Sequence, residues 1–289
     1  MNLPLSLCLI VLLPIHLACM ETASAPTSSN SCSTSGSSNS DSSSNGSTSC
    51  CSALTNDESE CIDPLNDGMS KLQVIQTGGE DLSVVRAARL CCGDLCENLK
   101  QCGIKEEELI ARLLKMHHTT PFEHTMLTFH VKAPITVQRQ WMRHRLASYN
   151  EKSGRYCVLE PQCYMPSTWR AQNQKSKTRP IQIEKVDETV VKTYEHACTA
   201  SIAAYKELLK AGVARELARN VLPLCLYTEF EFTCNLTALF HFLDLRSSPD
   251  AQWEIRQFAT SMLYLAKKHF PICMAVYESA HPQALTPKS

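Results

Sequence analysis

Between Arg139 and Tyr156 the chain reads Arg-Gln-Trp-Met-Arg-His-Arg-Leu-Ala-Ser-Tyr-Asn-Glu-Lys-Ser-Gly-Arg-Tyr. Any fold it adopts must accommodate four guanidinium groups (Arg139, Arg143, Arg145, Arg155), the His144 imidazole and the Glu151 carboxylate within these eighteen residues. Arginine stays charged at every working pH and presents a planar fork of donors, so several together are costly unless phosphates or carboxylates stand opposite. Lys and Arg total 28 against 29 Asp and Glu, so the cationic character is local and gives no general reason to invoke nucleic acid.

The segment has a legible shape. Pro134 suits the first turn of a helix whose apolar residues are Ile135, Val137, Trp141 and Met142, with Arg139 and Arg143 one turn apart on one side. Beyond it, Ser148, Tyr149, Asn150, Ser153 and Gly154 favour a loop whose backbone N–H groups can turn toward an oxyanion, closed by Arg155. The plainer reading is a solvated basic helix face. A single-stranded nucleic-acid platform built on Arg139, Arg143, Arg145 and Trp141 is thinly supported by one basic helix in a neutral chain.

Helix and strand signals alternate through the rest. Leu109, Ile110, Leu113 and Leu114 mark a helix over Glu106–His117, and Pro121 breaks the run. Leu127, Phe129 and Val131 alternate with polar residues as a half-buried strand leading into the arginine helix. A short strand is expected within Pro180–Val186. A long helix is expected over Glu188–Ala211, with Val191, Tyr194, Cys198, Ile202, Tyr205, Leu208 and Leu209 as its stripe. Leu222, Leu224, Leu226, Phe230 and Phe232 share one strand parity. Asn235 can cap a helix to Arg246, and Ala251–Lys268 reads as the final helix. No repeat, Gly-rich dinucleotide fingerprint or P-loop is present, so the expectation is non-Rossmann. The fold expected is a single α+β domain over 69–280, with a central mostly antiparallel sheet and long helices.

The N-terminus is of another kind. Residues 1–25 resemble a signal peptide or presequence but lack an early Lys or Arg; 26–68 read as a Ser-rich disordered tether, and 281–289 as a tail. The apolar run is too short for a stable membrane span, and Met69 is an alternative start. Ten of the 16 cysteines lie in the domain, irregularly spaced. Cys92, Cys96 and Cys102 near His117 and His118 lack paired two-residue spacing, so no metal site is expected.

The arginine-rich string matches Arg-His-Arg-x-x-Ser-x-Asn-Glu-x-Ser-x-Arg-Tyr, and the chain thereby resembles the flavin-dependent thymidylate synthases. The likeness runs from about Leu72 to about Tyr277. It includes Val85–Arg89, the His118–His124 segment, Ala218–Pro223, Tyr227-Thr228, Asn235, His241–Leu243, Leu245-Arg246 and Ala251–Arg256. The resemblance implies reductive methylation of dUMP to dTMP for dTTP biosynthesis. 5,10-Methylenetetrahydrofolate would be the one-carbon donor and FAD, reduced by NADPH, the hydride carrier. It implies FAD contacts from Thr120, Arg143, His144, Arg145, Glu151, Asn235 and His241, with His118 near flavin and folate. For dUMP it implies Gln140, Arg143, Glu151, Lys152, Ser153, Gly154 and Arg155, with Arg219 reaching the phosphate from another subunit and Arg246 activating the ring. It also implies a homotetramer with shared active sites. Such an enzyme belongs in cytosol or an organelle, which sits awkwardly with the signal-like leader. Three departures are visible: Thr237 stands where many relatives carry Arg, Glu229 replaces a frequent basic residue, and Cys91 replaces Ser. Were turnover lost, the chain would be a nucleotide-binding pseudoenzyme.

Overall fold

The computed structural model describes residues 60–90 and 105–281. The leader, the Ser-rich segment up to residue 59, Cys91, Cys92, Cys96, Cys102 and the tail from 282 lie outside the described residues.

A four-stranded sheet organises the chain. Strand β2 (Met126–Pro134) forms where Leu127, Phe129 and Val131 alternate with polar residues, and all three are fully buried. It pairs antiparallel on one side with β1 (Lys71–Gly78) and on the other with β6 (Tyr227–Cys234), whose far edge takes β3 (Ser148–Glu151), also antiparallel. The architecture is thus mixed α+β on an antiparallel sheet. A separate two-stranded ribbon joins β4 (Arg170–Ala171) to β5 (Ile181–Gln182), inside the span expected for a short strand.

Helices α1 (Asp81–Leu90), α2 (Glu106–Lys115), α3 (Ile135–Trp141), α4 (Glu188–Lys210), α5 (Arg215–Ala218), α6 (Leu236–Arg246), α7 (Trp253–His269) and α8 (Pro271–Ala280) complete the described part. Asn235 caps α6, its Oδ1 accepting from the Ala238 N–H at 2.9 Å. Asp81 accepts from the Ile272 and Cys273 N–H groups at 2.9 and 2.8 Å, so a residue of α1 satisfies the first turn of α8 from across the fold. Trp141, fully buried, lies 4.8 to 5.7 Å from the rings of Phe230, Phe232, Phe242 and Phe258, which locks the end of α3 onto β6, α6 and α7.

Several expectations change. The strand expected from Leu222 begins at Tyr227, because Leu222–Leu226 makes two turns around Pro223, closed by Leu222 N–H to Arg219 O and Leu226 N–H to Pro223 O. Ser148–Glu151, expected as loop, is a strand, since the open edge of β6 offers backbone partners that no local pattern announces. Helix α3 stops at Trp141, so Arg143 lies in the turn beyond and shares no helix face with Arg139. Strand β1 is poorly patterned because its register shifts between Val74 and Gln76. On α4 only Cys198 and Tyr205 of the expected stripe are fully buried.

Residues 60–68, which fall inside the 26–68 span read as tether, are folded: Ile62 and Leu72 exchange backbone hydrogen bonds of 2.9 Å in both directions, Leu65 is 3% exposed, and Asp67 accepts a hydrogen bond from the Tyr227 hydroxyl. A few apolar anchors at the end of a polar stretch suffice to order it. No helix among the described residues is long and apolar enough to cross a membrane.

Candidate active site

Because Trp141 pins the end of α3, the next residues leave the core at a fixed point. Arg143, His144 and Arg145 follow, and the Tyr149 hydroxyl of β3 closes the excursion, 3.0 Å from the Trp141 carbonyl and 2.8 Å from that of His144. His144 turns inward and is 5% exposed, its ring 4.7 Å from Phe242 and 5.4 Å from His241. Arg246, at the last turn of α6, donates from Nε to His144 Nε2 and from Nη2 to the Gln140 carbonyl, both at 2.9 Å. A guanidinium donates only, so His144 carries its proton on Nδ1, a buried atom with no partner among the described residues. Arg143 and Arg145 form no ion pair among the described residues. With His144, Phe232, Ala238 and His241 they line a cavity of about 290 Å³.

Burial, reinforced by Arg246 and His241, lowers the His144 pKa from 6.5 to about 4. Between these values the unfolded chain takes up a proton that the folded chain refuses, so stability present above pH 6.5 drains away as pH falls toward 4. The loss approaches about 3 kcal/mol. Denaturant midpoints measured across this window should fall with pH in the wild type and fall less steeply in His144→Asn; identical slopes would contradict the assignment.

A second group forms along the β3–β6 edge. Glu151 accepts from Gln138 Nε2 at 2.9 Å and from Thr228 Oγ1 at 2.6 Å. The Lys152 N–H donates to the Glu229 carbonyl at 2.9 Å, and the chain then turns through Ser153, whose Oγ accepts from the Arg155 N–H at 3.2 Å. Gly154 is buried against the Arg219 stem: a Cβ there would stand 3.2 Å from Arg219 Cδ and 3.0 Å from Leu159 Cδ1. Arg219 therefore sits beside the turn of its own chain. Lys152, Gly154, Arg219, Lys132 and Glu229 line a cavity of about 150 Å³. Arg155 points to Glu216, Nε to Oε2 at 3.2 Å, on the exposed side.

The single chain thus brings Gln140, Arg143, His144, Arg145, His241 and Arg246 together in one place, and Glu151 to Arg155 with Arg219 in another. Thr120 opens a 3-10 turn tied to the start of α6, where Leu236 N–H donates to Thr125 Oγ1 and Thr237 Oγ1 donates to the Thr119 carbonyl. Asn235 lies at the same junction. Thr120 and the exposed His118 line neither cavity. Sequence reasoning missed a buried polar chain behind Gln140. Its Nε2 donates to Gln252 Oε1 at 2.5 Å, Gln252 Nε2 donates to Glu254 Oε2 at 2.8 Å, and Glu254 Oε1 accepts from Tyr164 and Arg170. The available signal was Glu254, an acid beside the apolar stripe of α7. It is 1% exposed, and although burial opposes ionisation, Arg170 and Gln252 hold its pKa below the usual carboxylate value.

Residues 73–272 match the family model described as thymidylate synthase complementing protein. The flavin-dependent thymidylate synthase of Thermus thermophilus is 42% identical over 207 residues, covering 72% of this chain and 75% of that protein. The chain belongs to the flavin-dependent thymidylate synthase family. Its Thermotoga neapolitana relative of the same name is 42% identical over 200 residues, covering 69% and 87%. A UMP/dUMP methylase, PolB of Streptomyces cacaoi, solved with 5-Br dUMP, superposes with a TM-score of 0.67 at 34% identity, covering 75% of this chain and 97% of that one. The chain is therefore a member of an enzyme family, and its two clusters fall inside the matched span.

Proposed function

We propose that the protein methylates dUMP to dTMP reductively, with 5,10-methylenetetrahydrofolate as carbon donor and FAD as hydride carrier recharged by NADPH. The observation that carries this reading is Arg246, held between His144 and the Gln140 carbonyl inside the arginine-rich signature. Two of its five N–H donors are used, leaving three for a ligand. Beside a uracil ring they favour the anion formed on loss of the N3 proton and so make the ring carbon more nucleophilic. Gln140, positioned by Gln252, and Arg143 are assigned to the base.

The residues present fit a flavin. Arg143 and Arg145 lie free of carboxylates at a cavity that also exposes His241, and the buried His144 Nδ1–H lacks an acceptor. They would hold FAD together with Thr120, Asn235 and Glu151, with His118 near flavin and folate. When bound, reduced FAD supplies the hydride that completes the methyl group, and the polypeptide supplies positioning and charge. The nucleotide phosphate is assigned to Lys152, Ser153, Gly154, Arg155 and Arg219. Since this cluster and the group of Arg143, His144, Arg145 and His241 line separate cavities of one chain, we assign the complete site to a homotetramer in which subunits share active sites. Two of the departures have local partners: Thr237 Oγ1 donates to the Thr119 carbonyl, and Glu229 lies 3.8 Å from Lys152 Nζ and 3.5 Å from His130 Nε2.

The test is the visible spectrum of the purified full-length chain, followed by NADPH oxidation with methylenetetrahydrofolate. A yellow protein whose NADPH oxidation depends on dUMP supports the enzyme. A colourless protein that ignores added FAD contradicts it, and a yellow one without turnover indicates the pseudoenzyme. Gly154→Ala should push Arg219 or Leu159 aside and raise the KM for dUMP about tenfold, a 1.4 kcal/mol effect, with a smaller change in kcat. An unchanged KM would remove the Gly154–Arg219 pair from phosphate binding.

A further inference from the structure

Three thiols that this reading leaves unused meet at the foot of the second cluster. Cys163 lies where the chain returns from the Lys152–Arg155 turn, forming an isolated bridge with Leu226; Cys225 immediately precedes that residue; Cys198 comes from the middle of α4. The Sγ atoms all lie within 4.8 Å of one another, with Cys198 and Cys225 at 3.5 Å. Spacings this long in sequence hide the group from any motif search. Around it the Tyr194 hydroxyl reaches the Tyr164 carbonyl at 3.2 Å, and the Tyr164 N–H donates to the Cys225 carbonyl at 2.8 Å.

We propose that Cys163, Cys198 and Cys225 form a trithiolate site for a soft, thiophilic metal ion, with Zn2+ as its natural occupant. Metal–sulfur bonds of about 2.3 Å separate the sulfurs of a tetrahedral or trigonal site by about 3.8 to 4.0 Å, against 3.5 Å for Cys198–Cys225 and a limit of 4.8 Å for the whole group, so small side-chain rotations close it. Binding replaces three S–H bonds by three metal–sulfur bonds and releases three protons, so three thiols and a divalent ion become a site of net charge −1. Cys163 and Cys225 are only partly buried, so water can take the fourth position. The ion ties together the segment following Arg155, the segment following Arg219 and α4, and so stiffens the cluster assigned to phosphate. The site itself stands whether or not the chain turns over dUMP.

The experiment loads the reduced, chelator-treated full-length protein with Co2+ and then Zn2+. Expected are the strong red d–d bands of a tetrahedral thiolate site, clear of flavin absorption, saturating at one equivalent per chain and displaced by Zn2+. The bands should vanish in Cys198→Ser and Cys163→Ser and persist in Cys61→Ser. Independently of any variant, Zn2+ should slow alkylation of Cys163 and Cys225 together in the wild type, read by mass spectrometry, while exposed Cys61 reacts as before. Absent bands, bands that survive both substitutions, no Zn2+ protection of Cys163 and Cys225, or recovery of Cys198 and Cys225 as a disulfide under reducing conditions would each overturn the site.

Discussion

Arg246→Ala is expected to lower dTMP formation by about 10²- to 10³-fold or more, while the purified protein remains yellow. The size follows from what the guanidinium does: it is a preorganised charge in a partly buried place, already bonded to His144 and the Gln140 carbonyl, so none of its orientation has to be gained during the reaction. Burial lowers its pKa, yet arginine starts so high that it stays charged. Arg246→Lys keeps a charge but cannot satisfy His144 Nε2 and the carbonyl while also presenting a fork of donors, so it should recover little. Single-turnover formation of dTMP, with bound flavin measured in the same sample, checks both variants. Near-normal turnover in Arg246→Ala would remove its assigned role, and loss of flavin would make its part structural.

The second large effect concerns where the folded domain starts. A chain beginning at Met69 should be about 3 to 5 kcal/mol less stable than one beginning at Asn56. It would lose the burial of Leu65, worth about 1.5 to 3 kcal/mol, the Ile62–Leu72 bridge, and the Asp67 acceptor for Tyr227. For a domain whose net stability is about 5 to 15 kcal/mol, that is a large fraction, and poor soluble yield is the expected outcome. Denaturant midpoints of the two truncations, with Leu65→Ala in the full-length chain as a single-residue check, measure it. Equal midpoints would show that residues 60–68 merely rest on the sheet.

Much of the candidate site is readable in the sequence because it is local. Arg143, His144, Arg145 and the Glu151–Arg155 turn are contiguous, Asn235 carries its cap chemistry in its own side chain, and the alternation around Phe129 and Phe232 reports a half-buried sheet. What escaped depended on partners distant in the chain. Ser148–Glu151 is a strand only because β6 has a free edge. Arg219 lies beside Gly154 of its own chain, a proximity that no spacing states. The Gln252–Glu254–Arg170 network and the Cys163, Cys198 and Cys225 group join segments separated by tens of residues. Residues 60–68 are folded through a few side chains, Leu65 and Asp67 among them, that no local pattern announces.

As proposed, this protein works as a charged mould around dUMP and flavin and contributes no nucleophilic thiol. Burial pushes the Cys163, Cys234 and Cys273 thiols upward in pKa, and the described thiol nearest the phosphate turn, Cys157, hydrogen-bonds the Ser153 carbonyl at 3.3 Å. Rapid acid quenching of the working full-length enzyme, with mass spectrometry of every cysteine peptide, decides the matter. The prediction is dTMP formed only when flavin is present, with no nucleotide attached to protein. A uridylate joined to a cysteine sulfur, at Cys157 or elsewhere, appearing and decaying at the rate of turnover, would contradict it.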